Sequence, residues 1–376
     1  MKECTFIGLD VHKATISVAI AGGERGGEVR HWGTIPHRPD HVRKLVEKLT
    51  EGGGRLHFCY EAGPCGYGLH RQLVEMGHDC IVVAPSLIPV KAGDRVKTDR
   101  RDAVMLAKLH RADELTAVWV PDAAHEAMRD LVRARATAMG VLGKARQHLQ
   151  GFLLRHGRVY PGKKGWTVAY RRWLTTVRFQ HPAQQIVFQD YVDAVADTED
   201  RVERLTGQIA ELLASWNLAP VVEAVQAMRG VAFIVAVTVV AEVGDFHRFD
   251  NPRQLMAYLG LTPSEHSSGN TVRRGGITKA GSALARRALI EGAWSYRMQA
   301  RVSRKLHDRI EGLPKAVRDI AWKGQLRMCQ RYRHLLASGK AKVVVTTAIA
   351  REMVGFIWAI ARAMMPLPNS QDLAQV

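Results

Sequence analysis

Four acidic residues occupy positions from which they could bind a cation together. Asp10 and Glu61 each follow a short apolar segment with the composition of a β-strand. Asp99 and Asp102 lie three positions apart at the start of a predicted helix, so both fall on one helix face. Carboxylates at strand ends and at a helix start can converge, and Mg²⁺ would relieve their repulsion while keeping positions open for phosphate oxygens. Two such ions about 4 Å apart would align an attack on a phosphodiester.

Each of these acids also has an ordinary structural interpretation. An aspartate after a strand is often a turn residue, Asp99 could cap its helix, and Asp102 could favour the positive helix end. His12 and Lys13, which follow Asp10, could contact phosphate or face solvent. Because four such acids occur together on a strongly basic chain, their combination favours a catalytic metal site.

A second candidate site is the loop TPSEHSSGNTVRRGG, residues 262–276. Ser267 and Ser268 are adjacent in it and precede a glycine that allows close approach to a phosphodiester. The basic residues that follow could neutralise phosphate charge: Arg273, Arg274 and Lys279. A serine hydroxyl needs a base or a metal to become a nucleophile. The residues alone leave three interpretations open: a solvated turn, a phosphate cradle or a nucleophile.

The charge of the chain restricts its partners. Its 376 residues carry a formal net charge of +18. That balance is unusual for an enzyme acting on small molecules and indicates a polyanion: DNA, RNA or a membrane surface. Residues 131–180 contain eleven Lys and Arg with no Asp or Glu, and residues 270–340 contain seventeen against four.

The first basic segment interleaves cations with aromatic side chains. Its candidate nucleic-acid-binding cations are Lys163, Lys164, Arg171 and Arg172. The aromatic residues among them could stack on bases or form a core: Trp166, Tyr170, Trp173 and Phe179.

A membrane location is not favoured by the apolar segments. Residues 231–243 are too few to span a bilayer. Residues 343–365 are interrupted by Arg351 and Glu352 and predict an amphipathic packing helix. The chain starts without a signal-peptide pattern, and its five cysteines form no C-x-x-C pair. We therefore expect a cytoplasmic protein with reduced thiols.

The order of predicted elements indicates a mixed α/β domain followed by helices. Strands are predicted at residues 5–9, 15–20, 29–35, 56–60 and 80–83, with helices at 41–49 and 67–76. Residues 123–156 and 186–216 have the spacing of a helical hairpin or coiled coil. We predict a catalytic domain at 1–120, a helical and basic linker domain at 121–222, a C-terminal domain with the serine loop at 223–365, and a disordered tail at 366–376.

Three N-terminal motifs resemble a known family. GLDVHK, YEAGPCGYGLHRQL and VKTDRRDAVMLAKL are similar to the first domain of the DEDD transposases of the IS110 insertion-sequence family, which includes Piv-type DNA invertases. Residues 228–289 resemble the C-terminal transposase domain of that family. One departure is the stretch Met228 to Ala232, which lacks the family's proline-glycine hairpin.

The resemblance implies a specific chemistry. The first domain would have a ribonuclease-H-like (RuvC-like) mixed sheet, with Asp10, Glu61, Asp99 and Asp102 as catalytic Mg²⁺ ligands. The S-G motif assigns the nucleophile to Ser268, with Ser267 as the alternative. Members are recombinases that are guided by a structured non-coding (bridge) RNA and cut donor and target DNA through a serine–phosphate linkage. The acids of one subunit would meet the serine of another, in a homodimer assembling to a homotetramer at the bacterial nucleoid.

Two other functions remain alternatives at this point. A hydrolytic, structure-selective nuclease of the Holliday-junction-resolvase type would use the same acids without the serine. A non-enzymatic nucleic-acid-binding protein would need only the basic segments.

Overall fold

The chain forms two compact units, Met1–Val120 and Pro121–Val376. The structure, a computed structural model, describes residues 4–24, 26–89, 98–269 and 271–365. The predicted tail at 366–376 lies outside the described residues.

The first unit is built on a five-stranded mixed sheet, as the sequence predicts. Its strands are β1 Cys4–Val11, β2 Thr15–Gly22, β3 Val29–Pro36, β4 Arg55–Glu61 and β5 Asp79–Val83, in the order β3-β2-β1-β4-β5. The first three strands form an antiparallel meander, and β4 and β5 run parallel to β1. The helices of this unit are α1 Pro39–Thr50, α2 Gly68–Glu75 and α3 Asp99–Arg111.

Strand β1 is central because both of its faces are covered. Ile7 and Leu9 point into an apolar core with β2 and β4. On the opposite face Gly8 meets the backbone of α3: a Cβ at position 8 would lie 2.3 Å from the Ala103 carbonyl oxygen and 2.4 Å from the Ala107 nitrogen. The alternation of large and absent side chains therefore brings α3 directly onto the strand.

The second unit is almost entirely helical. It begins with α4 Ala123–Arg155, α5 Val168–Thr176 and α6 Pro182–Leu213. Arg135 hydrogen-bonds Thr206, and Arg146 hydrogen-bonds Glu199, so α4 and α6 are antiparallel along their length. The predicted helical hairpin is thus confirmed, with α5 packed against it in a common core.

The remaining elements surround a larger core. They are α7 Ala219–Val225, α8 Phe233–Val243, α9 Pro252–Tyr258, β6 Pro263–Glu265, β7 Arg274–Ile277, α10 Ala283–Ala293, α11 Arg304–Ile310, α12 Lys315–Ala337 and α13 Lys342–Met364. The finer division at residue 222 stays a prediction.

Helix α13 is apolar and long enough to cross a membrane. Its residues Val345, Ile349 and Met353 are fully buried in the core of the second unit. The helix therefore packs as a core element of this unit, in agreement with the amphipathic pattern of its sequence.

Candidate active site

The sheet brings Asp10 and Glu61 to the same edge. Strands β1 and β4 are parallel neighbours, and Leu9 pairs with Tyr60, so the two acids are next in register. Helix α3 begins beside them because its middle packs on β1. Thr98 is the N-cap of α3, since its Oγ1 accepts from the backbone N–H of Arg101 at 3.3 Å.

This capping arrangement decides between the interpretations of Asp99. Because Thr98 already caps the helix, Asp99 is the first helical residue and its side chain is not required as a cap. Asp99 and Asp102 lie together in the first turn.

The carboxyl group of Asp10 is buried among like charges. Its side chain is 16% exposed, and within the described residues its Oδ2 atom has no hydrogen-bond partner. Burial raises the pKa of Asp10 above its usual value. The charges of Asp99, Asp102 and Glu61 raise it further, against the opposing effect of His12. The other three acids therefore all act electrostatically on Asp10.

The same carboxyl group belongs to a cluster that could hold a divalent metal. One ligand atom each from Asp10, His12 and Asp99 lies within 4.8 Å of the others. His12 Nδ1 is 3.7 Å from Asp10 Oδ1. A cation here would satisfy the unpaired Asp10 oxygen and offset the repulsion among the acids, so the donor set fits a metal. Sequence reasoning left His12 open as a phosphate contact and did not identify it as a ligand, although the Asp-x-His spacing was visible.

The serine loop is a small β-hairpin. Strands β6 and β7 pair antiparallel, and the pairing continues to Ser268 and Thr271, which exchange backbone hydrogen bonds of 3.1 and 3.0 Å. Gly269, with φ of +53°, lies in the two-residue connection between them. That left-handed backbone suits glycine and places Ser268 at the tip of the hairpin.

The two adjacent serines are in different environments. Ser267 Oγ donates to Glu265 Oε1 at 2.8 Å and accepts from the backbone N–H of Arg273 at 3.3 Å. Arg274 Nε lies 3.3 Å from the other oxygen of Glu265. Among the described residues, Ser268 Oγ makes no such contact, and Ser268 is exposed. Ser267 therefore braces the hairpin, while the Ser268 hydroxyl faces solvent.

Glu265 is the centre of this brace. The hydrogen bond from Ser267 and the charge of Arg274 lower the pKa of Glu265. A carboxylate stabilised in its ionised form is a weak base, so it is better suited to holding the hairpin than to removing a proton. Sequence reasoning missed Glu265, because nothing in the sequence distinguishes it from a solvated turn residue.

The base of the hairpin holds a lysine in an unusual conformation. Lys279 has a φ of +59°, and its N–H donates to the Gly260 carbonyl at 3.1 Å. Arg286 Nη1 donates to the carbonyls of Leu259 and Ala280 at 3.1 and 2.6 Å. Left-handed backbone is strained in residues other than glycine, and such strain persists where the surrounding contacts impose it. Lys279 and Arg286 also line a shallow cleft that continues to Arg287.

The aromatic residues of the first basic segment form a core, so stacking of bases on them is not supported. Trp166, Tyr170 and Trp173 pack with ring centroids 5.1 and 5.5 Å apart, and Tyr170 is 4% exposed. Phe179 contacts Phe152 and Phe188 in the same cluster. The local sequence cannot show this, because covering side chains come from the distant helices α4 and α6.

The candidate cations of this segment divide into two groups. Arg171 is paired with Glu199 at 2.7 Å, and Arg146 contacts the same carboxylate. The two arginines lower the pKa of Glu199 even though its burial acts in the opposite direction. Lys163, Lys164 and Arg172 are exposed. Arg171 thus has a structural partner, whereas the other three face solvent.

The stretch Met228 to Ala232, which lacks the family's proline-glycine hairpin, makes a close contact with a helix. Gly230 has a φ of +83°, and a Cβ there would lie 2.2 Å from the carbonyl oxygen of Gly292 in α10. Glycine is therefore required here for packing as well as for backbone conformation.

Two family models match this chain. A family model described as Transposase, of the DEDD type of IS110 elements, matches residues 7–157. A second model, described as Transposase IS116/IS110/IS902 family, matches residues 222–308.

Three relatives extend the comparison. A putative transposase y4qE of Sinorhizobium fredii is 52% identical, with 95% of this chain and 88% of that protein covered. The transposase for insertion sequence element IS1533 of Leptospira borgpetersenii is 32% identical, with 89% and 97% covered. The pilin gene-inverting protein of Moraxella bovis is 23% identical, with 72% and 76% covered.

The acids Asp10, Glu61, Asp99 and Asp102 are called the acidic edge of the mixed sheet. The sheet, this edge and the matching models together define a DNA transposase. More particularly, the chain belongs to the IS110 family of insertion-sequence transposases. A non-enzymatic binding protein is therefore excluded as the interpretation of its basic charge.

Proposed function

We propose that this transposase cuts and exchanges DNA strands through a phosphodiester bond to Ser268, with Mg²⁺ bound at the acidic edge and a structured non-coding RNA as guide. The observation that carries the proposal is the partly buried Asp10 carboxylate, whose buried Oδ2 atom is unpaired within the described residues and lies among three further acids. The contrast between the two serines supports Ser268 as the nucleophile.

The strand order supports a RuvC-like, ribonuclease-H-like identity for the first unit. An antiparallel three-stranded half is followed by two strands parallel to β1, and the acids lie where β1 and β4 end. In such sheets, ligands bind beyond the carboxyl ends of parallel strands.

The proposed reaction follows from the positions of the side chains. Asp10, Glu61, Asp99 and Asp102 would hold Mg²⁺, which when bound supplies charge neutralisation and lowers the pKa of a coordinated hydroxyl. Ser268 Oγ forms a bond to phosphorus, and the bond from phosphorus to a deoxyribose oxygen breaks. The serine proton goes to water, and the leaving oxygen takes up a proton.

The product of this step conserves the energy of the original bond. Attack of a deoxyribose hydroxyl on the serine phosphodiester reverses the step, so strands are rejoined without ATP. Arg273 and Lys279, exposed on the hairpin and at its base, would neutralise the charge that grows on the phosphate.

The partners are proposed from charge and exposure. With a net charge of +18 the chain can bind both nucleic acids, donor and target DNA and the guide RNA. Lys163, Lys164 and Arg172 are exposed and available for phosphate contacts. We place the protein in the bacterial cytoplasm at the nucleoid, acting as a homodimer that assembles to a homotetramer on its two DNA partners.

A denaturing gel tests the chemistry. Purified protein, the RNA of its own element, labelled DNA and Mg²⁺ are combined for wild type, Ser268→Ala, Ser267→Ala and Asp10→Asn. We expect a covalent protein–DNA band in wild type and Ser267→Ala, and none in the other two. A band that persists in Ser268→Ala and disappears in Ser267→Ala would assign the nucleophile to the neighbouring serine.

Mixing inactive variants tests the oligomeric part of the proposal. If the acids of one subunit serve the serine of another, Ser268→Ala and Asp10→Asn subunits together should restore cleavage to roughly a quarter to a half of wild type. Mixing each variant with wild type controls for the loss of activity that inactive subunits cause by dilution alone. No restoration, with subunit exchange verified by differently tagged chains, would place both groups in one subunit.

A hydrolytic nuclease remains the second candidate because one observation favours it. Asp10, His12 and Asp99 all lie within the first unit and could bind a cation without the serine hairpin. Cleavage without a covalent band, unchanged in Ser268→Ala, would support this candidate and leave the hairpin a phosphate contact.

A further inference from the structure

Helix α12 carries an exposed tryptophan on a basic face. All eight tryptophans lie within the described residues. Trp322, with 41% of its surface exposed, is the exposed one, and the other seven are buried or partly buried. Leu326, one helical turn further on, is 47% exposed. Exposing a pair of apolar side chains to water is unfavourable. Such a pair indicates a contact surface when the residues around it favour one kind of partner.

The opposite, buried face of α12 determines that Trp322 and Leu326 point outward. Val317, Ala321 and Met328 are buried in the core of the second unit. Gly324 lies against the ring of Phe356, where an added Cβ would be 2.9 Å from the nearest ring carbon. The helix cannot rotate to bury Trp322 without losing these contacts.

Cations outnumber acids around Trp322, where the exposed Asp319, three residues before it, is the one acid within α12. Arg318 lies one turn before Trp322 and Lys323 directly after it, both exposed, and neither forms an ion pair with any residue the structure describes. Arg333 is likewise exposed near the end of the helix. From Arg318 to Arg333 the helix extends roughly 22 Å at about 1.5 Å per residue. By contrast, Arg327 and Arg331 are occupied by Glu352 of α13.

A groove adjoins this face. Lys323 and the Arg327–Glu352 ion pair line it together with apolar side chains of Met256, Ile320 and Phe356. Apolar side chains beside the unpaired cation of Lys323 match the chemistry of a nucleobase attached to its phosphate.

We propose that this outer face of α12 binds an unpaired stretch of nucleic acid, with a base stacked on Trp322 and the flanking phosphates on Arg318 and Lys323. The inference rests on the proposed function in that it names a contact for its RNA or displaced DNA strand. Unpaired nucleotides are required because the bases of a duplex are already stacked and cannot cover an indole ring.

A second copy of the chain is the competing occupant of an exposed apolar pair. It is disfavoured by charge, because docking two of these faces would bring unpaired cations of like sign together. A nucleic-acid strand provides both the opposite charge and flat apolar surfaces.

The test uses full-length protein and three labelled probes of one sequence: single-stranded RNA, single-stranded DNA and the duplex. We expect Trp322→Ala to weaken single-strand binding about five- to one-hundredfold and to change duplex binding less than twofold. Trp322→Phe, which keeps an aromatic face, should retain most of the affinity. The preferred strand, RNA or DNA, is read from which probe loses more.

Matched variants separate stacking from other contacts. Leu326→Ala removes exposed apolar surface from the same helix face and should change single-strand binding by less than about threefold. Arg318→Ala should lower the slope of log affinity against log salt by about one, equally for all sequences. Thermal unfolding should be unchanged in Trp322→Ala, because the side chain lies outside the core.

Two results would overturn the inference. The first is a Trp322→Ala protein whose affinity for the single strands is unchanged. The second is a Trp322→Ala protein that no longer self-associates in sedimentation, where that loss accounts for any change in binding. The covalent-adduct assay on the same wild-type preparation tests the proposed reaction separately. A wild-type adduct together with unchanged binding by Trp322→Ala would refute this inference alone.

Discussion

The acidic edge and the serine hairpin position their functional groups by opposite means. Asp10 is held by a central strand with both faces covered, and its partners by a neighbouring strand and a helix packed on that strand. In the hairpin, every described residue from 265 to 276 is exposed, and the shape is kept by local hydrogen bonds and one ion pair. The first arrangement is fixed by the core, whereas the second is fixed by its own short contacts.

The difference follows from the charge each region carries. Carboxylates brought close together repel, so only a scaffold with a large apolar core can hold them in place without a cation. A serine hydroxyl is neutral and imposes no such cost. The proposed nucleophile on an exposed hairpin could therefore adjust to its substrate, while the proposed metal ligands could not move far.

The largest effect should come from removing charge at the acidic edge. Asp10→Asn should lower cleavage at least about a hundredfold, because a ligand and its charge are lost. Without metal, its free energy of unfolding should equal or exceed that of wild type by up to about 1 kcal/mol, because a buried like charge is gone. Activity assays and urea unfolding measure the two quantities.

The exposed Asp40 of α1 provides the matched control. Asp40→Asn should keep activity within about twofold of wild type. Added Mg²⁺ should raise the unfolding midpoint of wild type and Asp40→Asn by mass action, and that of Asp10→Asn less. Equal Mg²⁺ effects in all three proteins would mean that the ion does not bind at Asp10.

An intermediate effect should come from the brace of the hairpin. Ser267→Ala removes the donor to Glu265, so the hairpin should sample more conformations and cleavage should fall about five- to twentyfold, with the covalent band retained. Stability should change by less than about 0.5 kcal/mol, since the site is exposed. Glu265→Gln, which keeps an acceptor, should be milder than Glu265→Ala. A Ser267→Ala enzyme with full activity would show that the brace is dispensable.

The smallest effect should appear at Lys279, where charge and backbone strain can be separated. Lys279→Gly and Lys279→Ala both lose the ammonium group, and both should lower the salt slope of DNA binding by about one. Only glycine relieves the left-handed strain, so Lys279→Gly should be more stable than Lys279→Ala by about 1 kcal/mol. Equal stability of the two in thermal unfolding would show that the backbone at residue 279 is relaxed.

The sequence predicted the elements of the first unit because their patterns are local. Apolar strands, glycine turns and the first turn of α3 could each be read from neighbouring residues, and the observed bounds differ by at most two positions. Parallel pairing of β1 and β4 then places Asp10 beside Glu61. This is why four acids chosen by their position at element ends meet in one part of the structure.

Burial of aromatic residues could not be predicted in the same way. Trp166, just before α5, and Trp322, within α12, both lie among cations, yet the first is covered by side chains from α4 and α5 and the second by nothing described. Likewise Ser267 and Ser268 are adjacent and chemically identical, and only the paired strands show which hydroxyl is engaged. These distinctions depend on residues far apart in the chain or on the direction of a single side chain.

The contact at Gly8 has a consequence for how this site could be altered. A methyl group there would meet backbone atoms of α3 at 2.3 and 2.4 Å, and the helix would have to retreat. Asp99 begins that helix about 6 Å from Ala103 along its axis, at about 1.5 Å per residue. Gly8 thus acts as a spacer that sets the gap between the acids of the strand and those of the helix. The dimensions of the proposed cation site would be governed by a residue that has no side chain and would not contact the cation.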